Sequence, residues 1–412
     1  MSDRSLPNPD GAGRPRSVPL IATFGVLTAL FSAGYGVMFT ALDDFRDQYG
    51  ISGGKLGMVV AAGFFSSFAA QVLLAPLADR GHARRLVYLG MGFEVAGLLA
   101  MALGRSLFPL LAARFVMGIG AGMAQPAIRR IIIVADPDHL GQNLGRLLAA
   151  DVGGFALGPA ISAVLIGPFG IPTPFLVIAV VTAACFPLIV KVKVHETEVG
   201  EEGATRFAFD LLRMRPYVAT LLMGVAVFLM IGTFDSLWSL VLDDLKASDF
   251  ISNLGITIFA LPLMIFGSAG GRLAQRFGPF RLATIGLTFG GVFMFSYGRL
   301  PTGLAMLAVG VVHAFNDGFT VSATGVAVGL VVPADRQAGA QGLLGGAQTL
   351  AGGLTAMAAG ALYQSSGRAV AYTACALTMF ACVIGGSLLA GPSWRMKDAS
   401  VARSTTREVA VG

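Results

Sequence analysis

Apolar stretches of about 18 to 25 residues recur along the chain from Val18 onward, broken by short polar turns, and each is long enough as a helix to cross roughly 30 Å of hydrocarbon. The pattern predicts about twelve membrane-spanning helices. Six fall at 18–41, 55–77, 86–104, 108–131, 144–167 and 172–191, and six at 217–241, 251–272, 281–298, 301–328, 340–363 and 369–391. The stretch 194–215 carries Glu196, Glu198, Glu201 and Glu202 beside Gly200 and Gly203. That composition cannot enter lipid and need not pack, so it reads as a linker between bundles at 18–193 and 216–392. Residues 1–17, with Pro7, Pro9 and Pro15, and residues 393–412 read as solvated tails, and the first lacks the succession of a signal peptide. The expected fold class is an all-α polytopic membrane protein in two six-helix, pseudo-symmetric bundles.

The two halves repeat in detail. Leu42-Asp43-Asp44 and Ile51-Ser52 recur two hundred positions later as Leu242-Asp243-Asp244 and Ile251-Ser252. The charged turn Leu77-Ala-Asp-Arg-Gly-His-Ala-Arg-Arg85 recurs with a small deletion as Leu273-Ala-Gln-Arg-Phe-Gly-Pro-Phe-Arg281. Six-helix repeats of this kind mark secondary transporters, whose halves rock about a site near the bilayer midplane.

Composition agrees with the pattern. Hydrophobic residues make up 55% of the chain and charged residues 13%, with mean hydropathy +0.74, the balance of a chain solvated mainly by lipid. The net charge of +6 forms no continuous basic face, which argues against a nucleic-acid partner. It is distributed by side instead. With a cytoplasmic N-terminus, the tails and even-numbered connections hold 22 of the 29 Lys and Arg, the opposite loops hold 6, and Arg114 falls within a helix. Basic residues resist translocation, so both termini are expected in the cytoplasm of a cell-membrane protein. Cys185, Cys375 and Cys382 lie in apolar stretches and read as small hydrophobes. No Gly-Lys-Ser/Thr phosphate loop and no metal motif is present, so no cofactor is expected and the energy source is an ion gradient, with protons the expected coupling ion, or the solute itself.

Three segments reach a recognisable family. Ala75-Pro-Leu-Ala-Asp-Arg-Gly-His-Ala-Arg-Arg85 resembles the loop signature after helix 2 of the major facilitator superfamily, with Ala75 and His82 where glycines are usual. Arg114-Phe-Val-Met-Gly-Ile-Gly-Ala-Gly122 resembles its helix 4 signature of an arginine followed by glycines. Gly154-Phe-Ala-Leu-Gly158-Pro159 resembles the helix 5 motif of its antiporters, especially drug:proton exporters, with Ser162-Ala163 in place of the trailing glycines. The resemblance implies that helices 1, 4, 7 and 10 line a cavity, that 2, 5, 8 and 11 flank it, and that 3, 6, 9 and 12 lie outside.

Ionisable groups within the bilayer cost about 2.5 to 3.5 kcal/mol each on insertion scales and mark pathways. Glu94, Arg114, Asp151, Asp235, His313 and Asp317 qualify. On the implied arrangement Asp235 and Asp317 rank first and Glu94, on an outer helix, last, with packing or an oligomer contact as its alternative. His313 and Asp317 are four apart and share a helix face, as a proton-linked pair requires. Asn316 and Gln71 offer neutral hydrogen bonds. Asp151 is either a pathway group or half of a salt bridge with Arg146. Tyr35 occupies the repeat position of Asp235, which Phe234 and Trp238 flank, and aromatics beside an anion suit a lipophilic cation. Trp238 reads equally as an interfacial anchor.

Asp79 is placed to meet the first amides of helix 11 near Ala338-Gly339-Ala340, where the helix dipole favours a carboxylate. With Arg80 paired to Asp136 it would latch the halves; the alternative is that the arginines only set topology. Gly118 with Gly122, and Gly154 with Gly158, have the spacing of four that lets helices pack closely, and Pro159 removes a backbone donor and bends helix 5. These residues serve packing and hinge roles or impose coupling direction.

The function expected is proton-coupled efflux of small hydrophobic or cationic compounds by alternating access. The competing reading is a proton symporter importing a sugar, organic acid or amino-acid-like solute, with Arg114 as an anion site. An intramembrane enzyme is remote, because the membrane segments carry no cluster with catalytic or ligand spacing.

Overall fold

The structure is a computed structural model that describes residues 17–191, 194 and 207–397. The tail at 1–16, the glutamates of the linker and residues 398–412 lie outside the described residues. A chain in hydrocarbon must satisfy its backbone groups within each segment, and the described residues accordingly form helices and no strands. In the first half these are α1 (Ser17–Thr40), α2 (Gly53–Leu73), α3 (Ala83–Leu103), α4 (Leu107–Ala135), α5 (Leu140–Phe169) and α6 (Pro172–Ala184, extended by Phe186–Lys191). The second half holds α7 (Arg215–Asp244), α8 (Asp249–Phe277), α9 (Pro279–Tyr297) and α10 (Gly303–Thr320, extended by Ala323–Val331). The run Gln337–Ala390 is broken at Gly367, whose φ of 80° is left-handed, into α11 (337–366) and α12 (368–390). Ten stretches are long and apolar enough to cross a membrane; the last, Ala334–Arg395, contains two passes, and α8 completes the twelve.

Helix pairing repeats between the halves. In the first bundle α1 packs on α5, α2 and α3 on α4, and α3 on α6; in the second α7 packs on α11, α8 on α10, and α9 on α12. The bundles meet through α5 against α8 and α2 against α11. Gly141 and Gly145 lie so close to the carbonyls of Gly271 and Gly267 that a Cβ on either would overlap backbone. Gln71 lies over Gly342 and Gly345, and Phe68 and Val72 over Gly346.

All these contacts fall in the helix halves nearest the Asp79 turn. Phe65 and Met357 occupy the same faces of α2 and α11 nearer the other end, yet are 66% and 75% exposed. The bundles therefore close at the end carrying the basic turns and diverge toward the opposite end. Gly145→Val is expected to disfavour closure by about 1 to 3 kcal/mol, the usual cost of overpacking. The measurement is alkylation of a cysteine placed at Leu344, reached from the basic end, which should increase.

Two expectations change. Helix 4 runs four residues past 131, to Ala135, and its last turns carry Arg130, fully buried inside the bundle. The end of the linker packs rather than remaining solvated: Ala208–Arg213 forms a short helical turn with Ala208 and Leu211 buried, because this piece is apolar where the preceding one is acidic. α5 continues through Pro159, as the predicted span 144–167 has it. The carbonyl of Phe155 lies against Gly36 of α1, so close that a Cβ at Gly36 would overlap it.

Candidate functional site

At the closed end, Gly81 takes a φ of 75° and turns the chain so that Asp79, 4% exposed, points into the gap between the bundles. Its Oδ1 accepts from the amide of Ala338 at 2.9 Å and its Oδ2 from the amide of Gly339 at 2.8 Å, the first free donors of α11. Arg130, fully buried, donates from Nε to Oδ1 at 3.0 Å. Arg336, one residue before α11, donates to both carboxylate oxygens of Asp210 at 2.6 and 2.8 Å, which ties the linker turn to the same place. Arg80 forms the corner of the turn, and Asp136 accepts from His139 Nδ1 at 3.0 Å and Asn143 Nδ2 at 3.2 Å.

Just above this seal, a cavity of about 120 Å³ lies between the bundles, lined by Thr28, Gln125, Arg129 and Asp151 from one and Gln341 and Gln348 from the other. Ser32 of α1 donates to Asp151, whereas Arg146 donates to Asn143 Oδ1 at 3.5 Å, so the Arg146–Asp151 pair is not made. The cavity thus holds one carboxylate and one guanidinium among neutral amides. Its volume is below the roughly 300 Å³ of a small-molecule pocket, which makes it the floor of the cleft. Phe228 also lines it, and Asp235 stands seven residues further along α7 on the same face, exposed and without a hydrogen bond or ion pair among the described residues.

Other candidates lie inside the bundles. His313 is buried in the second bundle; its Nδ1 lies 3.1 Å from the Tyr297 hydroxyl, and its Nε2 lies 3.0 Å from Met230 Sδ and 3.5 Å from Asp317 Oδ2. Asn316 donates to Asp317 Oδ1 and to the carbonyl of Gly286, both at 3.1 Å. The i,i+4 pair on α10 therefore exists, but it faces the bundle interior rather than the cleft. Trp238 is only 1% exposed and packs on Phe234, Phe259 and Tyr297, which rules out the interfacial anchor.

In the first bundle Arg114 is fully buried, its guanidinium 3.5 Å from the centroid of the Tyr35 ring. Glu94 is fully buried too and faces Gly34 of α1, so an outer helix carries an inward carboxylate. Gly118 and Gly122 seat α4 on Gly63, Ser66 and Ser67 of α2, and Gly154 and Gly158 seat α5 on Ala29 and Gly36 of α1.

Sequence reasoning missed Arg129, Arg130 and the Asp210–Arg336 pair. The two adjacent arginines at the predicted end of helix 4 read as topology signals, although the predicted span 108–131 includes both.

Known proteins agree with this architecture. The chain matches the family model described as Major Facilitator Superfamily over residues 24–248 and 220–409. It is 28% identical over 256 residues to a multi-drug resistance efflux pump PmrA homolog of Lactococcus lactis, covering 58% of this chain and 62% of the relative. It is 25% identical over 271 residues to the multidrug resistance protein MdtG of Serratia proteamaculans, covering 61% and 65%. The matched region is thus less than two thirds of these relatives' own length. Among solved structures, the E. coli fucose:proton symporter FucP aligns with TM-score 0.75 at 14% identity, over 91% of this chain and 99% of that one. The proton:xylose symporter XylE aligns with TM-score 0.74 at 15% identity, over 94% and 98%; at such identities these two establish the fold. With two repeated bundles, a cleft closed at one end and a family model matched over most of its length, the chain belongs to the major facilitator superfamily.

Proposed function

We propose that the protein is a secondary active transporter of the cell membrane, with both termini cytoplasmic, that exports small hydrophobic or cationic compounds in exchange for protons. The observation that carries this reading is Asp235: an unpartnered carboxylate on the cleft face of α7, two turns above the polar floor. Such a group accepts either a proton or an organic cation, and the two compete because one carboxylate neutralises one positive charge. With the basic end cytoplasmic, the arrangement described is outward-facing. Asp235 and Asp151 then take protons from outside as a cation leaves. Opening of the Asp79 seal, with Arg80 and Asp136 in the same turn region, exposes them to the cytoplasm, where the proton departs and a new cation enters. Likeness to proteins named as multidrug efflux pumps supports the direction.

Arg129 on the cleft floor favours one second reading, a symporter for an anionic solute, with Arg114 too deeply buried for that task. Inside-out vesicles with an imposed proton gradient distinguish the two. Accumulation of fluorescent lipophilic cations, lost in Asp235→Asn, is expected; movement of anions or sugars along with the proton, lost in Arg129→Gln, would replace export by symport.

A further inference from the structure

The first bundle contains a charged cluster that the cleft does not use. Both carboxylate oxygens of Glu94 and all three guanidinium nitrogens of Arg114 are enclosed without a hydrogen-bond partner. The two groups interact electrostatically, and both act on Tyr35. Four helices build the chamber. Glu94 comes from α3 and Arg114 from α4; Gly34 of α1 leaves room for the carboxylate, since a Cβ there would lie 2.7 Å from Oε1, and Gly63 of α2 leaves room for the guanidinium, since a Cβ there would lie 2.6 Å from Nε. Tyr35 covers Arg114, its hydroxyl 3.4 Å from the Gly63 carbonyl, and Phe64 meets its ring edge-on at 6.0 Å.

An arginine stays protonated in any protein site, and here the Tyr35 ring supplies part of what water would. A carboxylate has no such substitute. Ionised, enclosed and without a donor, it bears the full desolvation penalty; a proton removes the charge. We propose that Glu94 is a second proton-binding group, held inside the first bundle and separate from the cleft, with Arg114 as the lever that sets its occupancy. With Arg114 on Tyr35, Glu94 carries the proton. When the guanidinium turns from the ring to the carboxylate, two N–H groups replace that proton, which passes to water. Among the described residues Arg114 is the charged group acting on Glu94, Tyr35 is the titratable group on α1, and Ser66 and Ser67 are the polar side chains on the facing turn of α2.

The test is infrared difference spectroscopy of purified full-length protein in lipid nanodiscs, across a pH titration, on wild type, Glu94→Gln, Glu94→Asp and Asp235→Asn. The expected result is a protonated-carboxyl carbonyl band that disappears in Glu94→Gln, moves in Glu94→Asp and persists in Asp235→Asn. The Asp variant keeps the acid one methylene shorter, so a moved band separates loss of a carboxyl from loss of fold. Identical carboxyl bands in wild type and both Glu94 variants would overturn the proposal. No transported compound enters the measurement, so its outcome is independent of the efflux reading.

Discussion

Asp235→Asn is expected to reduce proton-driven accumulation of a lipophilic cation in inside-out vesicles to the level of vesicles without the protein. The amide is nearly the same size and its face of α7 is open, so packing is not at stake. What is lost is the ability to hold either a proton or a cation, and an exchanger without that choice has no coupling. Binding of a neutral hydrophobic compound should survive, because it brings no positive charge for the carboxylate to neutralise. Equilibrium binding measured beside transport checks this. A variant that still accumulates cations at the wild-type rate would remove Asp235 from the pathway.

The second large effect concerns the seal. Asp79→Asn keeps the volume but removes the negative charge beside Arg130 and weakens the grip on two amides of α11. Hydrogen bonds to a charged acceptor contribute about 1.5 to 3 kcal/mol each. The two that Asp79 accepts from α11 cross between the bundles, so their weakening falls on the closed-basic-end arrangement alone, whereas the Arg130 pair lies within the first bundle and bears on both arrangements. About 3 kcal/mol amounts to roughly a hundredfold in population, enough to move an exchanger from mainly outward-facing to mainly inward-facing. Spin labels on cysteines replacing His82 and Asp335, both exposed at that end, with the three native cysteines removed, would report it by pulsed EPR. The expected result is a longer distance population that dominates in the variant and is minor in the wild type. Unchanged distances would remove Asp79 from the latch and leave the arginines of its turn as topology signals alone.

The parts of this account that were legible in the sequence are those where polar residues interrupt apolar ones. Span lengths, the Asp43-Asp44 and Asp243-Asp244 repeat, and the meeting of Asp79 with Ala338-Gly339 all rest on such contrasts. What escaped was helix rotation. In a soluble protein the apolar face of a helix identifies the core, but lipid is as apolar as a bundle interior, so α3 carries no signal that Glu94 points inward rather than outward. The same loss of contrast hid Trp238 inside an aromatic cluster and turned His313 and Asp317 from the cleft to the second bundle. Arg129 and Arg130 escaped for the opposite reason. Charge near a predicted helix end is read as topology, and only the packing around α4, with Arg130 fully buried and Arg129 lining the cavity, makes it structure.

The claim at the centre is exchange of a proton for an exported compound, and the direct measurement is of the proton itself. Purified protein is reconstituted into liposomes carrying an internal pH dye, with the inside acidic and basic-end-out molecules selected by a membrane-impermeant inactivating reagent against the other orientation. Adding a lipophilic cation outside should raise the internal pH as the compound enters, and Asp235→Asn should abolish the rise. A proton moving inward with the solute, or solute uptake with no pH change, would contradict the account.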